Sequence, residues 1–116
     1  MESILTSIKK LLGISEEYEH FDTDLIMHIN SALLVLNQLG VGPTEGFFIS
    51  GKDDIWDDYL GDNTNLEMVK SYLYLKVKLL FDPPLSSAVI ESTNRMIAEF
   101  EWRLRLAAEE QQGVAL

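Results

Sequence analysis

The 116-residue sequence contains no cysteine, and this absence excludes disulfide bonds, thiolate metal sites and cysteine nucleophiles. It also lacks an apolar run long enough to span a bilayer, for which about 20 consecutive apolar residues are needed. Residues 1–12 are amphipathic and carry Glu2, so we do not expect a secretory signal there. These features predict a soluble protein that is made inside the cell.

Positive charge is scarce in the first part of the chain. Between Gly13 and Val69, Lys52 is the only base against twelve acidic residues, whereas six bases face four acids between Lys70 and Arg105. The net charge of −10 predicts a surface that repels nucleic-acid backbones. An acidic part and a basic part can also pair head-to-tail between two copies of the chain. The alternative is a solvated acidic surface that only aids solubility.

The sequence also lacks the motifs of common active sites and metal sites. It has no Gly-rich phosphate loop, no nucleophile elbow and no zinc motif. His20 and His28 have no carboxylate partner at metal-ligand spacing. The acidic residues from Asp53 to Asp62 do not form an EF-hand, because placing Glu67 at its twelfth position puts Trp56 where a carboxylate is required. We therefore predict no enzyme activity, no bound metal and no cofactor.

Apolar residues at helical spacing predict an all-α fold, a small bundle of four main helices at about residues 3–12, 23–39, 65–81 and 87–108. Residues 41–63 form an irregular acidic loop, which is expected to hold a short helix or a short strand. Residues 1–108 are expected to form a single helical domain, with residues 109–116 as a flexible tail. The expected inward residues are Ile4, Leu5, Ile8, Leu11 and Leu12 in the first helix, Leu25, Ile26, Ile29, Leu33, Leu36 and Leu39 in the second, Leu66, Val69, Leu73, Val77 and Leu80 in the third, and Val89, Thr93, Met96 or Ile97, Phe100 and Leu104 in the fourth.

Polar residues at the expected helix starts indicate how each start is capped. Asp22 or Thr23 is expected to cap the second helix, and Ser86 or Ser87 the fourth, since a side-chain oxygen at that position accepts a free backbone N–H. The pattern from Thr64 to Glu67 is a capping box for the third helix.

Residues 69–84 combine a helix with an abrupt end. The apolar arc of this helix is wide, so we expect it to be central, with the first, second and fourth helices packed around it. Asp82 precedes a proline and is biased away from helical backbone, and Pro83 with Pro84 stiffens the turn that follows. This turn is expected to set the direction of the long last helix.

Aromatic and arginine side chains outside the inward faces are candidates for a protein interface, because Trp, Tyr and Arg dominate interface energetics. Trp102 is the strongest candidate, since Phe100 and Leu104 already take inward positions on the last helix. For the aromatic residues of the loop, the alternative is packing into the core. The full set of candidates is Phe47, Phe48, Trp56, Tyr59, Trp102, Arg103 and Arg105.

Five pieces of the sequence, in this order and spacing, carry a resemblance that spans about Leu5 to Leu104. They are IKKLLGI at 8–14, FDTDLIMHIN at 21–30, LNQLGVG at 36–42, VKSYLYLKVKLLFDPP at 69–84 and EFEWRL at 99–104. In these pieces the chain resembles the head–tail connector (adaptor) proteins of tailed bacteriophages and prophages.

The resemblance implies a mostly helical structural protein of the virion, which is made in the cytoplasm of the bacterial host. Such a subunit assembles with its own copies into a ring that docks under the portal protein after DNA packaging. The ring extends the DNA channel, helps to retain the genome, and links capsid to tail by presenting a platform to a tail-completion or stopper protein. DNA is expected to pass through without specific binding, and no membrane is involved.

Two other functions remain open at this point. The chain is alternatively a small helical regulator that binds a cellular protein through the surface around Trp102. A third hypothesis is a nucleic-acid binder, and the net charge argues against that role.

Overall fold

The computed structural model describes residues 2–61 and 65–111, and the described chain contains five helices. The all-α prediction is confirmed, since the only β pairing in the described residues is an isolated antiparallel bridge between Ser3 and Ile55. The irregular segment 41–63 holds a short helix, which was one of the two elements predicted for it. The helices are α1 (Ile4–Leu12), α2 (Asp22–Gln38), α3 (Trp56–Leu60), α4 (Leu66–Phe81) and α5 (Ser87–Gln111).

Two helix ends are closed by local hydrogen bonds that their sequences supply. Ser3 accepts from the backbone N–H of Thr6 at 3.2 Å, and Ser86 accepts from that of Val89 at 3.4 Å, which confirms Ser86 as the cap of α5. After α1, Gly13 adopts the left-handed conformation with φ 82°, which a side chain would disfavour.

The prediction that Asp22 or Thr23 caps α2 is wrong. Phe21 occupies the capping position and makes no side-chain cap bond, while Asp22 is the first helical residue. The reason is that the carboxylate of Asp22 is drawn to a buried lysine instead. The predicted capping box of α4 cannot be followed in the same way, because Thr64 lies outside the described residues.

Helix α4 is the centre of the bundle, as predicted. It packs against α1, α2 and α5, and the molecule measures 45 × 36 × 19 Å, about two helix layers in its thinnest direction. Because three helices surround it, α4 buries side chains over a wide arc. Its buried residues are Val69, Tyr72, Leu73 and Val77.

Two leucines predicted to face inward are exposed. Leu80 is 54% exposed, since it lies in the last turn of α4, one residue before the helix ends. Leu11 is 52% exposed, because it lines an open cleft between α1 and α4 with Lys70 and Ser71. Helical spacing marked both as apolar-face residues, but no neighbouring element covers them.

The inward stripe of α5 consists of Thr93, Ile97, Leu104 and Ala108, with Phe100 half-buried beside them. Of the predicted alternatives Met96 and Ile97, Ile97 is the buried one, and Val89 is exposed rather than inward. The helix also continues to Gln111, three residues past its predicted end. Residues 109–111 are thus helical, and the rest of the predicted tail lies outside the described residues.

A buried lysine joins α1 to the start of α2. The side chain of Lys9 is only 3% exposed, and its Nζ lies 2.8 Å from Oδ1 of Asp22. The same ammonium donates hydrogen bonds to the carbonyls of Glu16 at 3.0 Å and Tyr18 at 2.8 Å. The contact with Asp22 is an ion pair without hydrogen-bond geometry, since that oxygen is buried without a hydrogen-bonded donor. Lys9 therefore fixes the connecting segment 14–21 as well as α2.

The irregular segment after α2 is held by two side chains that bind backbone groups. The amide of Asn30 donates to the carbonyl of Ile49 at 2.9 Å and accepts from its N–H at 2.8 Å, so this part of the loop lies along α2. The carboxylate of Asp54 accepts from the N–H groups of Ser50 at 2.7 Å and Gly51 at 3.3 Å, which closes the turn before α3.

The start of the chain pairs with the start of α3. Besides the Ser3–Ile55 bridge, the N–H of Trp56 donates to the carbonyl of Glu2 at 3.1 Å. The indole Nε1 of Trp56 donates to Oγ of Ser7 at 3.0 Å in the core. These bonds attach the loop to α1.

Polar contacts link α4 to α5 and close the end of α4. The hydroxyl of Tyr72 donates to Oε2 of Glu101 at 2.7 Å, and Lys76 lies 4.0 Å from the same oxygen. Burial, followed by the hydrogen bond to Glu101, raises the pKa of Tyr72, so this phenol stays protonated and keeps its donor. At the helix end, Lys78 binds the carboxylate of Asp82 at 2.8 Å, directly before the two prolines.

Replacing Lys9 with methionine tests the buried ion pair. We expect Lys9→Met to lower the free energy of unfolding by about 2–4 kcal/mol, because a carboxylate and two carbonyls lose their shared partner. The matched control is Lys10→Met, an exposed lysine on the same helix, with an expected change of about 0.5 kcal/mol or less. Urea unfolding followed by circular dichroism measures both. Equal effects of the two substitutions would contradict the role given to Lys9.

Candidate interaction surfaces

The outward side of α5 presents Trp102 to solvent. Its side chain is 53% exposed and lies on the side of the helix opposite the buried stripe. Residues one or two turns away along the helix share this side. We call this surface the Trp102 face and define it as Arg95, Ala98, Trp102, Arg105 and Leu106.

The three arginines near Trp102 differ in their pairing. Arg103 lies 3.5 Å from Glu99, an i,i+4 pair that neutralises part of its charge. Neither Arg95 nor Arg105 forms a salt bridge with any residue of 2–61 or 65–111. Two guanidinium groups without a salt bridge to the described residues therefore lie on either side of the exposed indole.

Two of the candidate aromatics belong to the core rather than to a surface. Trp56 is 2% exposed and Tyr59 is 4% exposed. The indole of Trp56 is bound by Ser7 and lies 5.5 Å from the ammonium of Lys70, and the ring of Tyr59 packs on Phe47 with 5.0 Å between centroids. Neither offers a partner any side-chain surface, so we remove both from the candidate interface. They cover the bundle beneath the loop, which was the alternative for each of them.

Tyr59 also fixes the path of the loop that covers it. Gly42 has φ +87°, and a Cβ at that position would lie 2.5 Å from Cε1 of Tyr59. The hydroxyl of Tyr59 is buried without a hydrogen-bond partner, and burial raises its pKa. Phe47 is half-buried against the same ring, so of the four loop aromatics only Phe48, 59% exposed, is open to a partner.

A second exposed apolar surface lies on the outward side of α2. Met27 is 58% exposed and Leu34, two turns later, is 50% exposed. Asn30 lies between them in the helix and binds the backbone of Ile49, so the neighbouring Phe48 is held near this helix. A Cβ built at Gly46 would lie 3.5 Å from the amide of Asn37 and 3.9 Å from the ring of Phe48, so this part of the loop passes Asn37, one turn beyond Leu34. We call this surface the Met27 patch and define it as Met27, Leu34 and Phe48.

The Met27 patch was missed from the sequence except for Phe48. The apolar spacing of α2 was assigned to its inward stripe, which the structure confirms, with Leu25, Ile29, Leu33 and Leu36 buried. The missed signal was the set of apolar residues of α2 that lie outside this stripe. Met27 and Leu34 are two of them, and they lie seven residues apart on the same side of the helix.

A third exposed apolar surface surrounds the turn between α4 and α5. Leu85 is fully exposed in this turn, with Leu80 and Val89 close to it in the chain. We call these three residues the turn patch. Its neighbouring charges are paired, because Lys78 and Asp82 bind each other at 2.8 Å.

A family model described as "phage connector protein" matches residues 4–111. The chain belongs to the phage connector family. The match runs from the first residue of α1 to the last residue of α5, and confirms the resemblance seen in the sequence. No curated protein and no solved structure gives a significant match to the chain.

A connector is a structural, non-enzymatic kind of protein, and its exposed surfaces are therefore the features of interest. Across residues 2–61 and 65–111 of this connector, no group of three or more His, Asp or Glu side chains is arranged to hold a metal ion. In the same residues, no helix has the length and apolarity needed to cross a membrane.

Replacing Gly42 with alanine tests the core position of Tyr59. We expect Gly42→Ala to lower the free energy of unfolding by about 2 kcal/mol, because the new Cβ strains a left-handed backbone and meets the tyrosine ring. Gly51→Ala is the control, since a Cβ there meets no atom within 4 Å, and it should change stability by about 0.5 kcal/mol or less. Thermal unfolding of both variants provides the comparison. If Gly42→Ala were as stable as Gly51→Ala, the loop would not be seated on Tyr59 as described.

Proposed function

We propose that this connector acts at the head–tail junction of a tailed phage or prophage, as a ring of identical subunits under the portal. The observation that supports this most strongly is the family match, since it covers every described helix in one continuous span. In this role the ring extends the DNA channel, links capsid to tail, and offers its far side to a tail-completion or stopper protein.

The exposed surfaces of the subunit support assembly into a closed ring. A ring uses a heterologous interface, in which one patch of a subunit meets a different patch of the next. The subunit exposes apolar side chains on α2, on α5 and at the α4–α5 turn, where Met27, Trp102 and Leu85 are each more than half-exposed. Exposed apolar clusters of this kind mark sites of protein contact. Arg103 and Phe48 remain candidates for contacts to copies, portal or tail proteins.

The charge of the subunit supports a passive role towards DNA. Between residues 13 and 61 the described chain exposes many carboxylates and a single lysine, Lys52. A channel wall of this composition offers few cations to phosphates, so DNA slides past it without being held.

The alternative function as a cellular regulator uses the same Trp102, because an exposed tryptophan serves any protein partner. The family match favours the virion role, and the location of the protein separates the two. A regulator would be found with a host protein and be absent from particles.

Mixing the purified protein with its cognate portal tests the proposed role. We expect a complex in size-exclusion chromatography and in pull-down, and we expect phage lacking the gene to accumulate unjoined heads and tails. No complex at any salt concentration, together with infectious joined particles from the knockout, would contradict the proposal.

A mobility-shift assay with duplex DNA tests the passive channel. At moderate salt we expect no shift at micromolar protein, since the net charge of −10 opposes phosphate binding. A shift that weakens with added salt would instead indicate a nucleic-acid binder and contradict this part of the proposal.

A further inference from the structure

We infer that the Trp102 face of one copy packs on the Met27 patch of the next copy. This inference rests on the proposed function, because it names the two surfaces that join neighbouring subunits of the ring. The remaining surface, the turn patch, is left free in this arrangement.

The two surfaces suit helix-on-helix packing. Each lies on the solvent side of a long helix and carries a bulky side chain one turn away from a small one. On α5, Ala98 precedes Trp102 by four residues, and on α2, Ser31 lies between Met27 and Leu34. Small residues beside bulky ones create grooves that receive the ridges of a facing helix at 8–10 Å between axes. Met27 is also flexible enough to fit around an inserted indole.

The charges beside the two surfaces are complementary. Arg95 and Arg105 lie on either side of Trp102, about 15 Å apart along the helix. Asp24 lies one turn before Met27, and Glu45 adjoins Gly46 at the other end of the patch. Both carboxylates are exposed and form no salt bridge in the described chain. Pairs at both ends would fix the register of α5 on α2.

The same charges disfavour two of the symmetric alternatives. Two Trp102 faces packed in parallel would set Arg95 and Arg105 against the same arginines of the other copy, and two Met27 patches would bring together Asp24 and Glu45. Like charges across an interface suppress the wrong pairing. The turn patch is a weaker partner for either surface, since Lys78 and Asp82 beside it already neutralise each other.

Engineered disulfides test this pairing, because the chain has no cysteine of its own. The test variant carries Ser31→Cys and Ala98→Cys, two exposed positions at the centres of the two surfaces. The control variant carries Ser31→Cys and Ser71→Cys, the latter exposed on α4 and outside both surfaces. Each protein is concentrated, alone or with portal, and then mildly oxidised and run on non-reducing gels.

We expect the test variant to give a ladder of covalent dimers, trimers and larger species, because each copy offers one cysteine to each neighbour. The control should give no more than background dimers. A one-to-one mixture of the two single variants of the test pair should stop at dimers, since only one linkage can form between them. A ladder no stronger than the control, or dimers of a single variant alone, would overturn the inference.

Charge reversal separates a specific contact from random collision. Arg95→Glu with Arg105→Glu should reduce the ladder of the test variant about tenfold, and adding Asp24→Lys with Glu45→Lys should restore it. Failure of the restoring pair would overturn the assigned register. If wild-type protein binds portal but the test variant gives no ladder, the surface pairing is wrong and the connector role stands. If the ladder forms but portal is never bound, the copies pair as inferred and the connector role fails.

Discussion

The buried ammonium of Lys9 is the constraint on which the arrangement of α1, the connecting segment and α2 depends. It holds Asp22 at the start of α2 and two carbonyls of the connecting segment, so α1 and α2 keep one relative position. Helix α1 then fixes the start of α3 through Ser7 and Trp56, and α2 fixes the loop through Asn30. The bonds of Asn30 hold Ile49, and with it the neighbouring Phe48, near the helix that carries Met27 and Leu34.

Such an arrangement is costly unless the charge is fully satisfied, because removing an ammonium from water costs several kcal/mol. Lys9 meets this cost with two hydrogen bonds to carbonyls and an ion pair with the carboxylate of Asp22. The aliphatic part of the side chain packs into the bundle at the same time. This solution orients the chain more strictly than apolar packing alone, since three oxygens at fixed positions must converge on one nitrogen.

Helical spacing was enough to predict four main helices, the central place of α4 and most of the core. These depend on period and on local signals such as Gly13, Ser86 and the two prolines. The spacing could not show that Lys9 is buried, because a lysine next to Lys10 has the local sequence of a surface residue. Nor could it separate Trp56 and Tyr59 from Phe48, since their burial is decided by where the loop crosses the bundle. That crossing depends on side chains far apart in sequence, such as Asn30 with Ile49.

The exposed surfaces were predicted least well for a related reason. Trp102 was identified because the inward positions of α5 were already filled, and its exposure agrees with that argument. Met27 and Leu34 were not identified, because an apolar helix was interpreted through its inward stripe alone. A residue that falls off the stripe and is still apolar is informative when it recurs two turns later. In a connector, which is a structural kind of protein, such residues are where contacts with other proteins are expected.

The central claim is that this protein forms a ring at the head–tail junction. Its most direct test is the amount of this protein in purified virions relative to the portal protein. Quantitative mass spectrometry of joined particles, with separated heads and tails as comparison, gives this ratio. The account predicts a fixed ratio of this protein to portal protein, equal to the number of subunits in its ring divided by the number in the portal ring. The protein is expected to be retained in joined particles. Its absence from infectious virions, or a ratio far below one ring per portal, would contradict the account.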